Sequence, residues 1–278
     1  MEQTQKAYIQ SESGVMPLII PAESDEVLPG VVWGNVAGFP TIAYWFYKVN
    51  ERRYKDSLIN YQLGESLLEE IGACLLGGHG IPAENGIAAY EHMKSKGCFT
   101  GKVHSEELIY SWLSEPIAKG NKTFKYRFAK QKSCYLHHAI KALSEQSPPL
   151  ETGIALRDWL VDIKGIGLKT ASWIARNWLR ADDVAILDIH IYRAGILAGF
   201  FTEELTVEKH YLKLEEIFVT LASQMKIKTS ELDAVMWFEM QQYKSIHKLL
   251  EQRKSSSKPR SKTPTYYGTS DPQQIALA

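Results

Sequence analysis

The feature that most restricts the fold of this chain is a glycine pair set between two helical stripes. Residues 153–161 (GIALRDWLV) and 168–179 (LKTASWIARNWL) repeat apolar positions every three to four residues, and Asp162-Ile163-Lys164-Gly165-Ile166-Gly167 joins them. Apolar residues at that period make one face of an α-helix, so the stretch reads as a helix-hairpin-helix. A tight hairpin asks for backbone angles that glycine adopts freely, and missing side chains let a large anion reach the amides. Those amides open the second helix, where free N–H groups and the positive end of the helix dipole attract phosphate. Gly165, Ile166 and Gly167 are therefore candidate contacts to a nucleic-acid backbone, a grip that reads no base sequence.

Similar periodicity runs through most of the chain. Leu63, Leu67, Leu68, Ile71, Leu75 and Leu76 mark one helix, and residues 85–95, 106–114, 133–144, 189–199, 207–225 and 231–250 also take a helical reading between Gly, Pro, Ser or Asp punctuation. The aromatic-rich run Thr41–Tyr54 is read as helix, although a short apolar run does not settle its period. Residues 1–30 are polar and net acidic, punctuated by Pro17, Pro21 and Pro29, and read as an extended arm. Residues 31–252 form the expected core. From residue 253 the chain turns to Ser, Pro, Thr and Lys with little to bury and reads as a disordered tail, with a basic cluster at Arg253, Lys254, Lys258, Arg260 and Lys262.

At 278 residues and 45% apolar content the chain can bury one large core or two joined smaller ones. No apolar run approaches the roughly 18 residues that span a bilayer, and the start MEQTQKAYIQSESG lacks a charged region followed by an apolar one. The expectation is a cytoplasmic or nucleoid-associated protein, not secreted, with no membrane partner. Cys74, Cys98 and Cys134 are odd in number and far apart, which suggests neither disulfides nor a zinc site. The 32 basic and 32 acidic residues cancel, which argues against indiscriminate coating of nucleic acid. Locally the balance fails: Pro116–Ser144 has no acid but carries Lys119, Lys122, Lys125, Arg127, Lys130, Lys132 and Lys141. This is either a phosphate-contacting surface or a solvated face.

Hairpins of this kind also occur in polymerases, nucleases and ligases, so the next segment decides more. Val184-Ala185-Ile186-Leu187 is an extended apolar run, and Asp188 follows where the N-cap of helix 189–199 belongs. Capping and catalysis are compatible, because backbone N–H donors and the helix dipole keep a carboxylate ionised. Taken together, KGIGLKTASWIARN and VAILDIHIYR are similar to the helix-hairpin-helix-GPD superfamily of DNA glycosylases, in its lysine-bearing 8-oxoguanine DNA glycosylase/AP lyase branch. Nineteen positions separate Lys169 from Asp188, the spacing that branch uses between nucleophile and catalytic aspartate. LLGGHGIPAENG and KYRFAKQKSCYL can be laid on its wedge-bearing loops.

The resemblance implies a mainly α fold of two helical subdomains flanking a cleft, without the full N-terminal β-sheet domain of the larger eukaryotic-type enzymes. It implies a monomer acting on double-stranded DNA that holds a damaged or modified base. Lys169 would bond C1′ as a Schiff base and Asp188 would stabilise charge on the sugar. A lysine in water is almost wholly protonated at neutral pH, so the nucleophile needs burial in the cleft. His79 would fill the gap left by the flipped base, with Gln131 and Lys132 supporting the strand beside Lys130 and Arg127. His190 would contact phosphate or pack in the cleft. Asp233 and Trp237, four apart, would line the base pocket, and Trp33, Tyr44, Trp45, Phe46 and Tyr47 would stack on a base or pack a core. No cofactor is implied beyond a monovalent cation at the hairpin carbonyls, since no Cys follows Cys134 to bind the iron–sulfur cluster of related enzymes.

Substrate choice lies in the pocket and not in these motifs. A base excision enzyme for 8-oxoguanine, the same chemistry on another modified base such as one in viral DNA, and a non-catalytic hairpin module all remain open on the sequence. The presence of both Lys169 and Asp188 speaks against the last, because a grip needs neither.

Overall fold

The computed structural model describes residues 4–12, 14–55, 61–78, 80–243 and 246–257. Eleven helices are assigned there: α1 (Ile42–Tyr54), α2 (Leu67–Leu76), α3 (Ala83–Ser95), α4 (Glu106–Ser114), α5 (Ala129–Glu145), α6 (Gly153–Val161), α7 (Leu168–Leu179), α8 (Ile189–Ala198), α9 (Val207–Gln224), α10 (Thr229–Gln242) and α11 (Ile246–Ser257). Three antiparallel strand pairs accompany them: β1 (Gln5–Ser11) with β2 (Gly14–Ile20), β3 (Glu26–Leu28) with β4 (Val31–Val32), and β5 (Pro116–Lys119) with β6 (Lys122–Lys125). No described helix is long and apolar enough to cross a membrane.

Two hydrophobic cores divide the helices. The first lies among α2 to α7, with Ile71, Leu75, Leu76, Met93, Leu136, Leu160 and Ile174 at its centre. α2 is its axis: Ser66 caps it through the Glu69 amide at 3.2 Å, and nine of its ten residues are buried. The second core gathers β2 to β4, α1 and α8 to α11 around Trp45, Phe218, Leu221, Leu232 and Met236. The chain enters the first lobe after α1 and returns between Val184, which packs in the first core, and Ala185, which packs in the second.

Three readings change in the structure, and one left open is decided. The first 30 residues are not a free arm, because β1 and β2 pair from Gln5↔Ile20 to Ser11↔Gly14 and bury Ile9 and Ile20 completely. The aromatic run is helix α1, capped by Thr41, and Trp33 and Trp45 are core residues with Phe46 edge-on to Trp33. Stacking on a flipped base is thus not their role. The single helix expected over 231–250 is two, because Tyr243 leaves helical geometry (φ −84°, ψ 90°) and stacks on Phe39 at 4.1 Å. The chain stays helical to Ser257, and Arg253 donates to the Ile196 and Leu197 carbonyls that end α8, so it is not a free phosphate contact. Lys258, Arg260 and Lys262 lie outside the described residues.

Candidate active site

The hairpin forms as its glycines predict, but for two different reasons. Gly165 has φ +94°, and a Cβ there would collide with the ring of Tyr135 from α5. Gly167 has an ordinary φ of −95° and nothing near the place of its absent Cβ. It N-caps α7 without a side-chain hydrogen bond, so the first amides of the helix stay open at an exposed corner. Ile166 is 4% exposed and packs in the first core with Ile163, so it anchors the hairpin and leaves only its backbone for the contact expected of it.

The flank of the hairpin is the start of α5. Gln131 donates to the Tyr135 hydroxyl at 2.8 Å, and the Lys132 ammonium sits 5.7 Å from the same ring. Lys132 is half-buried, and that burial pushes its pKa below the usual lysine value. Lys130 and Arg127 are exposed, with the Arg127 guanidinium over Phe128. Of the basic stretch, Lys119 is engaged by Glu84 and Asn85 and Lys141 by Glu145, whereas Lys122, Lys125, Arg127, Lys130 and Lys132 meet no carboxylate among the described residues. β5 and β6 carry the first part of that stretch as a hairpin turning at Gly120.

Lys169 stands in the first turn of α7, half-buried, and lines a groove of about 650 Å3 with Gly167, Thr170 and the start of α9, including His210 and Tyr211. Asp188 N-caps α8: its Oδ1 accepts from the His190 amide at 2.8 Å and the Ile191 amide at 3.0 Å. His190 is half-buried one residue into that helix. The three amides before Asp188 are each taken by a side chain. Ala185 N–H donates to Glu215 Oε1 at 3.0 Å, Ile186 N–H to Asp233 Oδ2 at 3.3 Å, and Leu187 N–H to the Tyr211 hydroxyl at 3.2 Å.

His79 lies outside the described residues. The Tyr126 hydroxyl donates to the Leu76 carbonyl at 2.7 Å, and Gly78 and Gly80 take positive φ in the turn between α2 and α3. Asp233 does not line an open pocket. It is 2% exposed, ion-paired with the buried Arg176 of α7 at 3.4 Å, and burial pushes its pKa up to about 6 against the pull of that arginine. Trp237, one turn later on α10, is 46% exposed, beside Phe238 with Arg52 over its ring. Four-residue spacing places two side chains on one helix face, yet the helix turns Asp233 under the lobe junction and Trp237 outward.

Comparison with known proteins agrees with this geometry. Residues 50–227, well over half the chain, match the family described as 8-oxoguanine DNA glycosylase, Ogg-HhH. The chain belongs to this family. Among relatives, the 8-oxoguanine DNA glycosylase/AP lyase of Metallosphaera sedula is 32% identical over 154 residues, covering 51% of this chain and 72% of that protein. The enzyme of the same name from Saccharolobus solfataricus is 30% identical over 202 residues, covering 69% and 90%. The crystal structure of the Methanocaldococcus jannaschii 8-oxoguanine glycosylase/lyase with a 15mer DNA containing 8-oxoguanine superimposes with a TM-score of 0.51 at 25% identity, covering 72% of this chain and 98% of that one.

Several side chains that shape the site of this glycosylase-family chain escaped the sequence reading: Tyr135 under the hairpin, and Arg157, Ser172, Arg176, Tyr211 and Glu215 at the lobe junction. A signal existed for Glu215. It falls in the buried stripe Tyr211, Leu214, Glu215, Phe218, Leu221, Ala222 of α9, and a carboxylate inside an apolar stripe must be paired. Arg157, between Leu156 and Leu160 on the buried face of α6, carries the matching sign.

Proposed function

We propose that this chain is a bifunctional DNA glycosylase and AP lyase that excises 8-oxoguanine through a Schiff base on Lys169. The observation that carries the reading is one frame holding three parts: an open-amide hairpin, a lysine in the next turn, and a carboxylate capped at the start of α8. The hairpin amides bind a phosphate and set the duplex against the groove. The damaged nucleotide leaves the stack at a cost of a few kcal/mol, and the loop between α2 and α3 fills the gap.

Breaking the bond between base N9 and C1′ sends its electron pair to the base and leaves positive charge on the sugar. Both cap hydrogen bonds of Asp188 fall on Oδ1, which leaves Oδ2 to stabilise this charge. The neutral Lys169 Nζ bonds C1′, the sugar ring opens to the Schiff base, loss of the C2′ proton expels the 3′ phosphate, and water later frees the lysine. Trp237 and Phe238 offer exposed aromatic surface for a flipped base, and no polar contact to the base is assigned to Asp233.

Borohydride trapping on duplexes with 8-oxoguanine, other modified bases or none tests the reading. A covalent adduct on the 8-oxoguanine duplex, lost in Lys169→Gln, is the expected result. Adducts only with a different base move the substrate assignment, and no adduct with any duplex overturns the Schiff-base mechanism.

A further inference from the structure

Glu215 and Tyr211 lie one turn apart on α9, 5% or less exposed, at the point where the chain crosses from one lobe to the other. Oε1 of Glu215 accepts two hydrogen bonds at 3.0 Å, from Ser172 Oγ on α7 and from the Ala185 amide. Its other oxygen pairs with the buried Arg157 of α6. The Tyr211 hydroxyl donates to the Ala185 carbonyl at 2.8 Å and accepts from the Leu187 amide. Ser172 stands one turn after Lys169 on the same face of α7, and Leu187 immediately precedes Asp188.

We infer that Glu215 and Tyr211 are positioning residues for base excision: through Ser172 on one side and residues 185–187 on the other, they set Asp188 against Lys169. This rests on the catalytic reading given above. Stability alone does not call for such an arrangement, since a buried ion pair is commonly replaced by well-packed apolar residues without loss. What apolar residues cannot do is take directional bonds from two helices and an extended run at once. One oxygen shared by the lysine's helix and the aspartate's run ties the two groups through a single residue of α9. A misplacement of about 1 Å at reacting groups costs on the order of a hundredfold in rate.

The test uses Ser172→Ala and Tyr211→Phe, which each delete one hydroxyl and leave the Glu215–Arg157 pair intact. Single-turnover excision is measured on an 8-oxoguanine duplex at saturating protein, together with affinity for a duplex bearing an uncleavable abasic analogue and thermal melting. The expected result is a loss of about tenfold in rate for each variant, with affinity within about twofold and both proteins folded well above the assay temperature. In an Asp188→Asn background the same substitutions should cost nothing further, because the group they position is gone. A merely structural role would slow neither reaction selectively and would give the same loss in both backgrounds. Variants that excise at the wild-type rate, or an undiminished loss in the Asp188→Asn background, overturn this inference alone. A wild type that forms no adduct overturns it together with the catalytic reading.

Discussion

Lys169 takes its place from its neighbours: Gly167 opens the helix without a capping side chain, and Ser172 fixes the turn that follows. Lys169→Gln is expected to abolish nicking and borohydride trapping while DNA affinity stays within about 1 kcal/mol, since phosphate is held by hairpin amides; adduct formed by the variant would place the Schiff base elsewhere. Asp188→Asn should slow base release by two to three powers of ten, about 3–4 kcal/mol, with little change in melting temperature, because Asn also caps helices. Early unfolding with normal turnover would make Asp188 a structural cap only. Gly165→Ala combines a positive φ with a collision against Tyr135, so a loss of about 2–4 kcal/mol is expected in denaturant titrations. Gly167→Ala meets no such obstacle in the folded chain, and its effect should fall on DNA binding instead.

At the scale of elements, helices were legible because the apolar period is carried within each segment. α4, α6 and α7 occupy the residues their stripes predict. The β1–β2 pair was not legible, because a two-stranded ribbon is stabilised by what it packs on, and that partner, α1, lies far along the chain. The basic stretch also resolved by element: its strands and the first turn of α5 leave Lys122, Lys125, Arg127 and Lys130 exposed, while Lys119 and Lys141 are paired. Changing Lys125, Arg127, Lys130 and Lys132 together to Ala should weaken binding to damaged and intact duplexes alike. Each phosphate contact removed should flatten the slope of log affinity against log salt by about one. Titrations of both proteins at several salt concentrations decide this, and an unchanged slope would leave these residues a solvated face.

At the scale of the molecule, two buried charge pairs join the lobes, Arg157 with Glu215 and Arg176 with Asp233. The second makes folding sensitive to pH. Burial pushes Asp233 up to about 6 from an ordinary 3.8, so between about pH 4 and 6 the folded protein holds a proton that the unfolded chain has released. Stability from this group is present on the acid side and lost as pH rises through 6, by about 3 kcal/mol in all. The stability difference between wild type and Asp233→Asn should therefore shift by that amount in the variant's favour from pH 4 to pH 7. A difference that stays flat in denaturant titrations across this range would show Asp233 ionised throughout.

By itself the sequence determined the parts whose physics is local: helical periods, the glycine hairpin, the cap at Asp188, and with them the family and its two candidate reacting groups. Tertiary structure alone decided where charges end up. Asp233 and Trp237 share a spacing that predicts a common face, yet Asp233 is drawn under the lobe junction by Arg176, 57 positions away, while Trp237 is left at the surface. Glu215, Ser172 and Ala185 meet at one oxygen from three separate segments. A local stripe can mark a polar group as buried, as it does for Glu215, but the partner it meets comes from a segment distant in the chain, and no short-range pattern records that choice.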